Sequence, residues 1–261
     1  MHQPVGTGQD FNESTETLDA DNFTGVDPSD LRTFAQSFDG SIATSNRKQL
    51  ALSSHESMVL THRIRAISDA IVIGINTLIT DDPQLTVRLV EGPNPQPIVL
   101  DSNLRVPPTA RLLNRDNQPC WLACIDSNSP KKRRRLEGLG AELLYCGADR
   151  TGRVNLPDLL DLLGQKGVKS IMVEGGSQVI TSFIENRLVD KLIITIAPRL
   201  VGGLSALERP ALENSFPQLD SISYQHCGPD LVLCLVLAWA IVQGWRRMHE
   251  FKSSNRRVLE I

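Results

Sequence analysis

The chain has little of what marks most enzyme classes. Its five cysteines (Cys120, Cys124, Cys146, Cys227 and Cys234) match no disulfide framework and no zinc-ligand spacing, which points to reduced thiols in a cytoplasmic protein. The histidines are scattered, and no Ser/His/Asp order stands out. Cys120 and Cys124 are separated by three residues after Pro119, one too many for the P-C-x-x-C of a zinc deaminase, and no H-x-E accompanies them. No G-x-G-x-x-G follows an apolar run, and no Walker A sequence occurs, so neither common nucleotide fingerprint applies. A net charge of -3 gives no general reason to expect nucleic acid or an anionic membrane as partner. No basic, apolar signal segment opens the chain. The longest apolar run, Asp230 to Val242, is too short for a bilayer, which needs about 20 residues. It reads as a long final strand, with an exposed tail or an interface segment as the alternative.

What is present is organised around residues 170–203. An apolar run, Ile171-Met172-Val173, stops at Glu174-Gly175-Gly176, and Val179, Ile180, Phe183, Ile184 and Leu188 follow at helical spacing. Leu192 to Ile196 reads as another buried strand, closed by Pro198 and Gly202-Gly203. Glycines placed where a strand hands over to a helix let backbone N–H groups approach an anion closely. A tight turn needing positive φ explains the same glycines equally well.

Other segments repeat the alternation. Ser53-Ser54 before Glu56 is a helix start, and Val59, Leu60, Arg63 and Ile64 carry that helix to about Ser68. Strands are expected at Ala70–Ile73, Ile98–Asp101, Cys120–Ile125 and Glu142–Cys146, and an amphipathic helix at Leu156–Leu163. Leu31 to Ala43 reads as a short strand running into a turn at Asp39-Gly40. Gly74 to Thr77 again places small and hydroxyl residues after a strand, and the Pro-containing stretch with Asp81, Asp82 and then Arg88 reads as loop, with Arg88 a solvated charge on its own evidence. The cationic run Lys131–Arg135 is the solvated face of a crossover helix. The sum is an α/β protein with a mostly parallel sheet, binding something anionic near Gly74–Thr77 and Gly175–Ser177.

Taken together, S-F-D-G-S-I-A (Ser37–Ala43), L-S-S-x-E-S (Leu52–Ser57), His62-Arg-Ile-Arg65, D-A-I-V-I-G-I-N-T (Asp69–Thr77), D-D-P-Q-L-T-V-R (Asp81–Arg88) and V-E-G-G-S (Val173–Ser177) resemble one family. It is the riboflavin-pathway reductases, which reduce 2,5-diamino-6-ribosylamino-4(3H)-pyrimidinone 5′-phosphate to its ribitylamino form with NADPH. The stand-alone fungal and archaeal enzymes are the nearer likeness, because no deaminase half is present, and the resemblance covers about residues 33–233. It implies a dihydrofolate-reductase-like fold, with a central mostly parallel sheet, helices on both faces, and a homodimer. It places Gly74, Thr77 and Asp81 along the NADPH, and Glu174, Gly175, Gly176 and Ser177 at its pyrophosphate and neighbouring ribose. Arg88 becomes a ligand of the substrate phosphate, to which a guanidinium offers a bidentate fork. Ser53 and Asp39 fall in the substrate pocket, and Asp39 and Ser41 are the residues nearest a catalytic role.

The chain departs from that family at three places. Ser41 stands where Lys or Arg is common, so a neutral hydrogen bond replaces a cation that could steady charge on the sugar. Ser54 stands where glycine is usual, and the apolar run continues past Leu233, where the family ends within a few residues. Three regions are expected: a disordered acidic tail over 1–31, a reductase domain over 32–240, and a charged C-terminal extension over 241–261. Competing readings are a related NADPH reductase with another phosphorylated or heterocyclic substrate, an NADPH-binding relative without turnover, and a membrane-peripheral protein anchored by residues 231–245. Ligand turnover separates the first two, and truncation after Leu233 addresses the third.

Overall fold

The computed structural model describes residues 31–46, 48, 50–115, 118–126, 129–207 and 218–237. The expected acidic tail, the C-terminal extension and the end of the apolar run beyond Leu237 lie outside the described residues. In chain order the elements are β1 (Leu31–Ser37), β2 (Ser41–Ala43), α1 (His55–Ile67), β3 (Ala70–Gly74), α2 (Ile75–Asp81), β4 (Gln96–Leu100), β5 (Trp121–Ile125) and α3 (Pro130–Glu137). There follow β6 (Glu142–Cys146), α4 (Leu156–Gln165), β7 (Ile171–Glu174), α5 (Ser177–Glu185), β8 (Lys191–Ala197), β9 (Leu204–Ser205), β10 (Leu219–Cys227) and β11 (Asp230–Leu237).

A nine-stranded sheet runs in the order β10-β11-β8-β1-β7-β3-β4-β5-β6, and β2 pairs with β9 beside it. From β8 to β6 every neighbouring pair is parallel, while β11 pairs antiparallel with β8 and with β10. The central strand β3 is buried along its whole length, as a strand covered on both faces must be. Its side chains divide by parity: Ile71 and Ile73 pack with Leu60 and Ile64 of α1, Leu78 of α2 and Leu136 of α3. Ala70 and Val72 pack with Leu159 and Leu163 of α4 and with Ile180 and Phe183 of α5. The period-2 geometry of the strand thus sorts the helices onto two faces.

Local signals explain the helix ends. The Ser54 side chain accepts from the Ser57 amide at 3.3 Å, capping α1, and Asn155 accepts from Asp158 in the same way at 3.1 Å, capping α4. Two elements differ from the sequence reading. Residues 75–81 form a helix that the sequence reading did not assign: Ile75 and Leu78 are buried at helical spacing and hold a short helix whose other residues have modest helix preference. The edge strand β10 lacks a buried face (Ile222 and Tyr224 are exposed) and was not assigned from sequence; pairing with β11 sets its structure.

Candidate functional site

The chain leaves β3 toward β4 on one side and leaves β7 toward β8 on the other, across β1. Parallel sheets bind ligands outside the carboxyl ends of strands at such a reversal. Here the reversal lies between β3 and β7, which ends in Gly74 and in Glu174-Gly175-Gly176 respectively. Gly175 and Gly176 have φ of +69° and +82°, where a side chain would be strained. A Cβ on Gly176 would also meet Thr77 Oγ1 at 3.1 Å, and one on Gly74 would meet Val179 Cγ2 at 2.8 Å. Positive φ and close approach both apply, so the turn reading and the anion-site reading describe one construction. Gly176 and Ser177, at the start of α5, line the cleft, and the N-cap position offers no side-chain cap.

Three hollows adjoin along this edge. The first, about 780 Å³, is lined by Gly74 to Thr77, by residues after β4, and by Gly176 and Ser177. The second, about 580 Å³, includes Ser53, Met58, Thr61, Arg65, Asp81, Glu174 and Gly175. Asn76, Thr77 and Gly176 line both, so these residues are the seam between them. The third, about 300 Å³, is walled by Asp81 to Leu85 with Arg65, Arg88 and Arg111, and shares Arg65 and Asp81 with the second. The first two have the size of small-molecule sites. The structure therefore brings together Gly74, Thr77, Asp81, Glu174, Gly175, Gly176, Ser177, Ser53 and Arg88 along one continuous edge.

Asp39 and Ser41 stand apart: they line none of the three hollows. The Asp39 carboxylate accepts from Ser37 Oγ at 2.5 Å, Ser41 Oγ at 3.1 Å, and the Val201 and Gly202 amides at 3.0 and 2.6 Å. The Ser37 hydroxyl first, then the two amides, hold it far below the usual carboxylate range. It remains ionised at neutral pH and ties the turn after β1 to the loop after β8. Ser41 is buried, and its hydroxyl also accepts from the Gly203 amide at 2.9 Å. A side chain so engaged fastens two loops beside the second hollow.

The loop carrying Arg88 is held from α1. Asp82 and Leu85 have positive φ without being glycine, a conformation that surrounding contacts must enforce. Buried His62 supplies one such contact: its Nδ1 accepts from the Arg88 amide at 2.9 Å. Burial first, then the charges of Arg65 and Arg88, push the His62 pKa down to about 4, so the ring is neutral and can accept. Arg65 supplies a second contact, donating Nη1 to the Thr86 carbonyl at 3.1 Å. The Arg88 guanidinium itself donates to Thr86 Oγ1 at 2.8 Å and to Gln84 Oε1 at 3.3 Å, which fixes it at the rim of the third hollow.

Arg65 was missed as a site residue by sequence reasoning, although a signal existed. Met58, Thr61 and Arg65 recur at helical spacing on a face adjoining buried Leu60 and Ile64, and all three line the second hollow. Arg65 forms an ion pair with Glu174, so the Glu174 carboxylate is engaged within the protein. Burial opposes the charge on Arg65, but the Glu174 hydrogen bond and charge more than offset it, and its pKa is raised. Burial alone raises the Asp81 carboxyl.

Comparisons with known proteins agree with this arrangement. Residues 31–233 match the family model described as RibD C-terminal domain. The chain is 40% identical over 179 residues to an Archaeoglobus fulgidus protein named 2,5-diamino-6-ribosylamino-4(3H)-pyrimidinone 5′-phosphate reductase, covering 65% of this chain and 80% of that one. An Eremothecium gossypii protein of the same name is 31% identical over 221 residues, covering 79% of this chain and 87% of its own. Among solved structures, Saccharomyces cerevisiae riboflavin biosynthesis reductase Rib7 superposes with a TM-score of 0.65 at 24% identity, covering 81% of this chain and 90% of that one. Acinetobacter baumannii RibD gives a TM-score of 0.68 at 23% identity; 81% of this chain matches only 58% of that longer one. At those identities the structures establish the shared α/β fold, and the sequence matches establish kinship: the chain belongs to the RibD C-terminal domain family, whose named relatives are reductases of riboflavin biosynthesis.

Proposed function

We propose that this chain reduces 2,5-diamino-6-ribosylamino-4(3H)-pyrimidinone 5′-phosphate to the ribitylamino product with NADPH. The observation that carries the reading is the series of three hollows, joined at Asn76, Thr77 and Gly176 and again at Arg65 and Asp81. Gly175 and Gly176, with the uncapped start of α5, fit a pyrophosphate, because a Cβ at Gly176 would fill the cradle against Thr77. Gly74, Thr77 and Ser177 would complete that binding in the first hollow. NADPH, when bound, supplies the hydride.

The protein positions and balances charge around that chemistry. The opened ribosylamine is an imine whose C1 accepts hydride and whose nitrogen then takes a proton. The second hollow, with Ser53 and Ala51 on one wall and Thr77 at the seam, would hold the sugar and the ring. Ionisable groups on its wall are Arg65, Glu174 and Asp81, and the first two neutralise each other. Burial pushes the Asp81 carboxyl up from the ordinary carboxylate range. Arg88, in the third hollow, would take the 5′-phosphate as a fixed guanidinium, with the reacting sugar next door. Asp39 and Ser41 would shape the neighbouring loops.

A cytoplasmic homodimer goes with this reading. The exposed apolar side chains Ile222 and Tyr224 on edge strand β10 support self-association, and among the described residues no helix is long and apolar enough to cross a membrane. The deciding experiment is NADPH oxidation by purified protein given the pyrimidinone phosphate, with the product identified by mass. Formation of the ribityl product supports the assignment. Binding of NADPH without turnover would sink it in favour of another substrate or a non-catalytic relative.

A further inference from the structure

The turn between β10 and β11, residues 227–230, stands at the carboxyl end of β8, because β11 runs antiparallel to β8 with Leu231 opposite Ile196. There the first residue of β11, Asp230, meets the start of α1. Asp230 is buried, yet it lines none of the three hollows. Its Oδ2 accepts from the Ser54 amide and from Ser57 Oγ, each at 2.7 Å, and Ser57 is buried with it. Ser54 Oγ, which caps α1, also donates to the Cys227 carbonyl at 3.1 Å. Both ends of the hairpin turn are therefore tied to the first turn of the helix.

These ties place one wall of the second hollow. Leu50 to Ser53 lead into the N-cap and line that hollow, as do Met58, Thr61 and Arg65 further along α1. Of the four lead-in residues only Leu52 is buried, so the course of this segment depends on polar anchors more than on packing. Arg199 supplies one from the far side, donating Nη1 to the Ala51 carbonyl at 3.3 Å. Asp230 supplies the other, and a carboxylate accepts about twice as strongly as a neutral oxygen. Ser54 stands where the family usually has glycine. A glycine would keep the amide bond to Asp230 and lose the hydroxyl contacts, so this chain adds a second tie beside the carboxylate.

We propose that Asp230 is a positioning residue for the substrate. Acting through Ser54 and Ser57, it sets Ser53 and the α1 side chains against the second hollow from a place outside it. The proposal rests on that hollow holding the sugar and ring of the pyrimidinone phosphate. Small displacements of a wall that orients a ligand cost affinity even when no contacting side chain is changed.

Titration calorimetry on the full chain with the pyrimidinone phosphate, and separately with NADPH, tests this without turnover. Asp230→Ala should weaken the pyrimidinone phosphate about tenfold and leave NADPH within about twofold, because the hairpin does not adjoin the first hollow. Asp230→Asn keeps an oxygen for both donors and should return affinity to within about threefold of the parent. Ser54→Gly and Ser57→Ala each remove part of the tie and should each cost about threefold, so the test stands even if Asp230→Ala does not fold. Hydrogen exchange at the Ser54 amide should accelerate at least about tenfold in the alanine variant and far less in the asparagine one. Retained NADPH binding shows that the variants are folded. Unchanged affinity for the pyrimidinone phosphate in the folded variants, whatever their stability, would overturn the proposal, since Asp230 would then serve folding alone. Equal loss for both ligands would overturn it too, because the disturbance would be global. A parent that binds NADPH but not the pyrimidinone phosphate would remove the substrate reading itself, and the positioning role with it.

Discussion

Arg65 and Glu174, 109 residues apart in the chain, meet through two hydrogen bonds, Nε to Oε1 at 2.6 Å and Nη2 to Oε2 at 2.7 Å. The pair couples α1, which lines the second hollow, to the glycine turn that closes β7. Through Nη1 the same guanidinium holds the Thr86 carbonyl, so one side chain links the turn to the loop of Arg88. Both partners are largely buried, with side-chain exposures of 12% and 16%. Glu174→Ala should therefore leave a buried uncompensated cation and lower stability by about 3 kcal/mol, read from the urea midpoint. The double change Arg65→Met with Glu174→Leu should recover part of that loss. A loss below about 0.5 kcal/mol for Glu174→Ala would show the pair to be effectively solvated.

His62 sets a pH dependence. Its native pKa near 4 lies below the ordinary value of 6.5, so between those limits the unfolded chain binds more protons than the native one. Its contribution is fully present above pH 6.5 and is lost as pH falls toward 4, with a slope of at most about 1.4 kcal/mol per unit. Denaturation of the parent and of His62→Gln at pH 7, 6 and 5 isolates this group, because the other histidines are common to both. The parent should lose more stability across that range than the variant. Parallel curves would mean that His62 titrates alike in both states.

Asp39→Asn should release the loop after β8. The amides of Val201 and Gly202 donate to that carboxylate, and an asparagine offers them one neutral oxygen instead of two charged ones. Hydrogen exchange at these two amides should accelerate at least about tenfold, with kcat falling by less than that. A collapse of kcat with unchanged exchange would make Asp39 a catalytic residue instead.

Gly176→Asp should abolish NADPH binding, by strain at φ +82°, by crowding Thr77 Oγ1, and by charge against the pyrophosphate. Gly176→Ala retains only the first two effects and should weaken binding by a smaller factor, about tenfold. Unchanged affinity in the aspartate variant, measured by fluorescence titration, would remove the glycine turn from the cofactor site.

The glycine turn was legible in the sequence because its signal is local: a buried strand, two glycines and a helical pattern in one short stretch. The two-faced core was legible for a similar reason, since Ala70 to Ile73 is an unbroken apolar run that only a doubly covered strand tolerates. Pairings between distant segments were not. Nothing near Arg65 names Glu174 as its partner, and nothing near Asp39 announces the Val201 and Gly202 amides. The edge strand β10 escaped because it buries neither face and its sequence is mostly polar, and α2 because two buried residues, not propensity, make it helical.

Arg88 separates phosphate recognition from everything else at the site. Its guanidinium lies at the third hollow, which shares no residue with the first, so cofactor affinity should not depend on it. Its backbone, by contrast, is held by His62 through the amide, which any side chain retains. Arg88→Ala should therefore leave the loop in place and raise KM for the phosphorylated substrate about a hundredfold, the loss of one charge-assisted bidentate contact. NADPH affinity should change by less than about twofold, and kcat should fall far less than kcat/KM, the pattern of lost ground-state binding. Arg88→Lys should fall between the two, since an ammonium keeps the charge and loses the fork. Were NADPH affinity to drop in step with substrate affinity, Arg88 would belong to the cofactor, and the order of the three hollows along the sheet edge would have to be read in reverse.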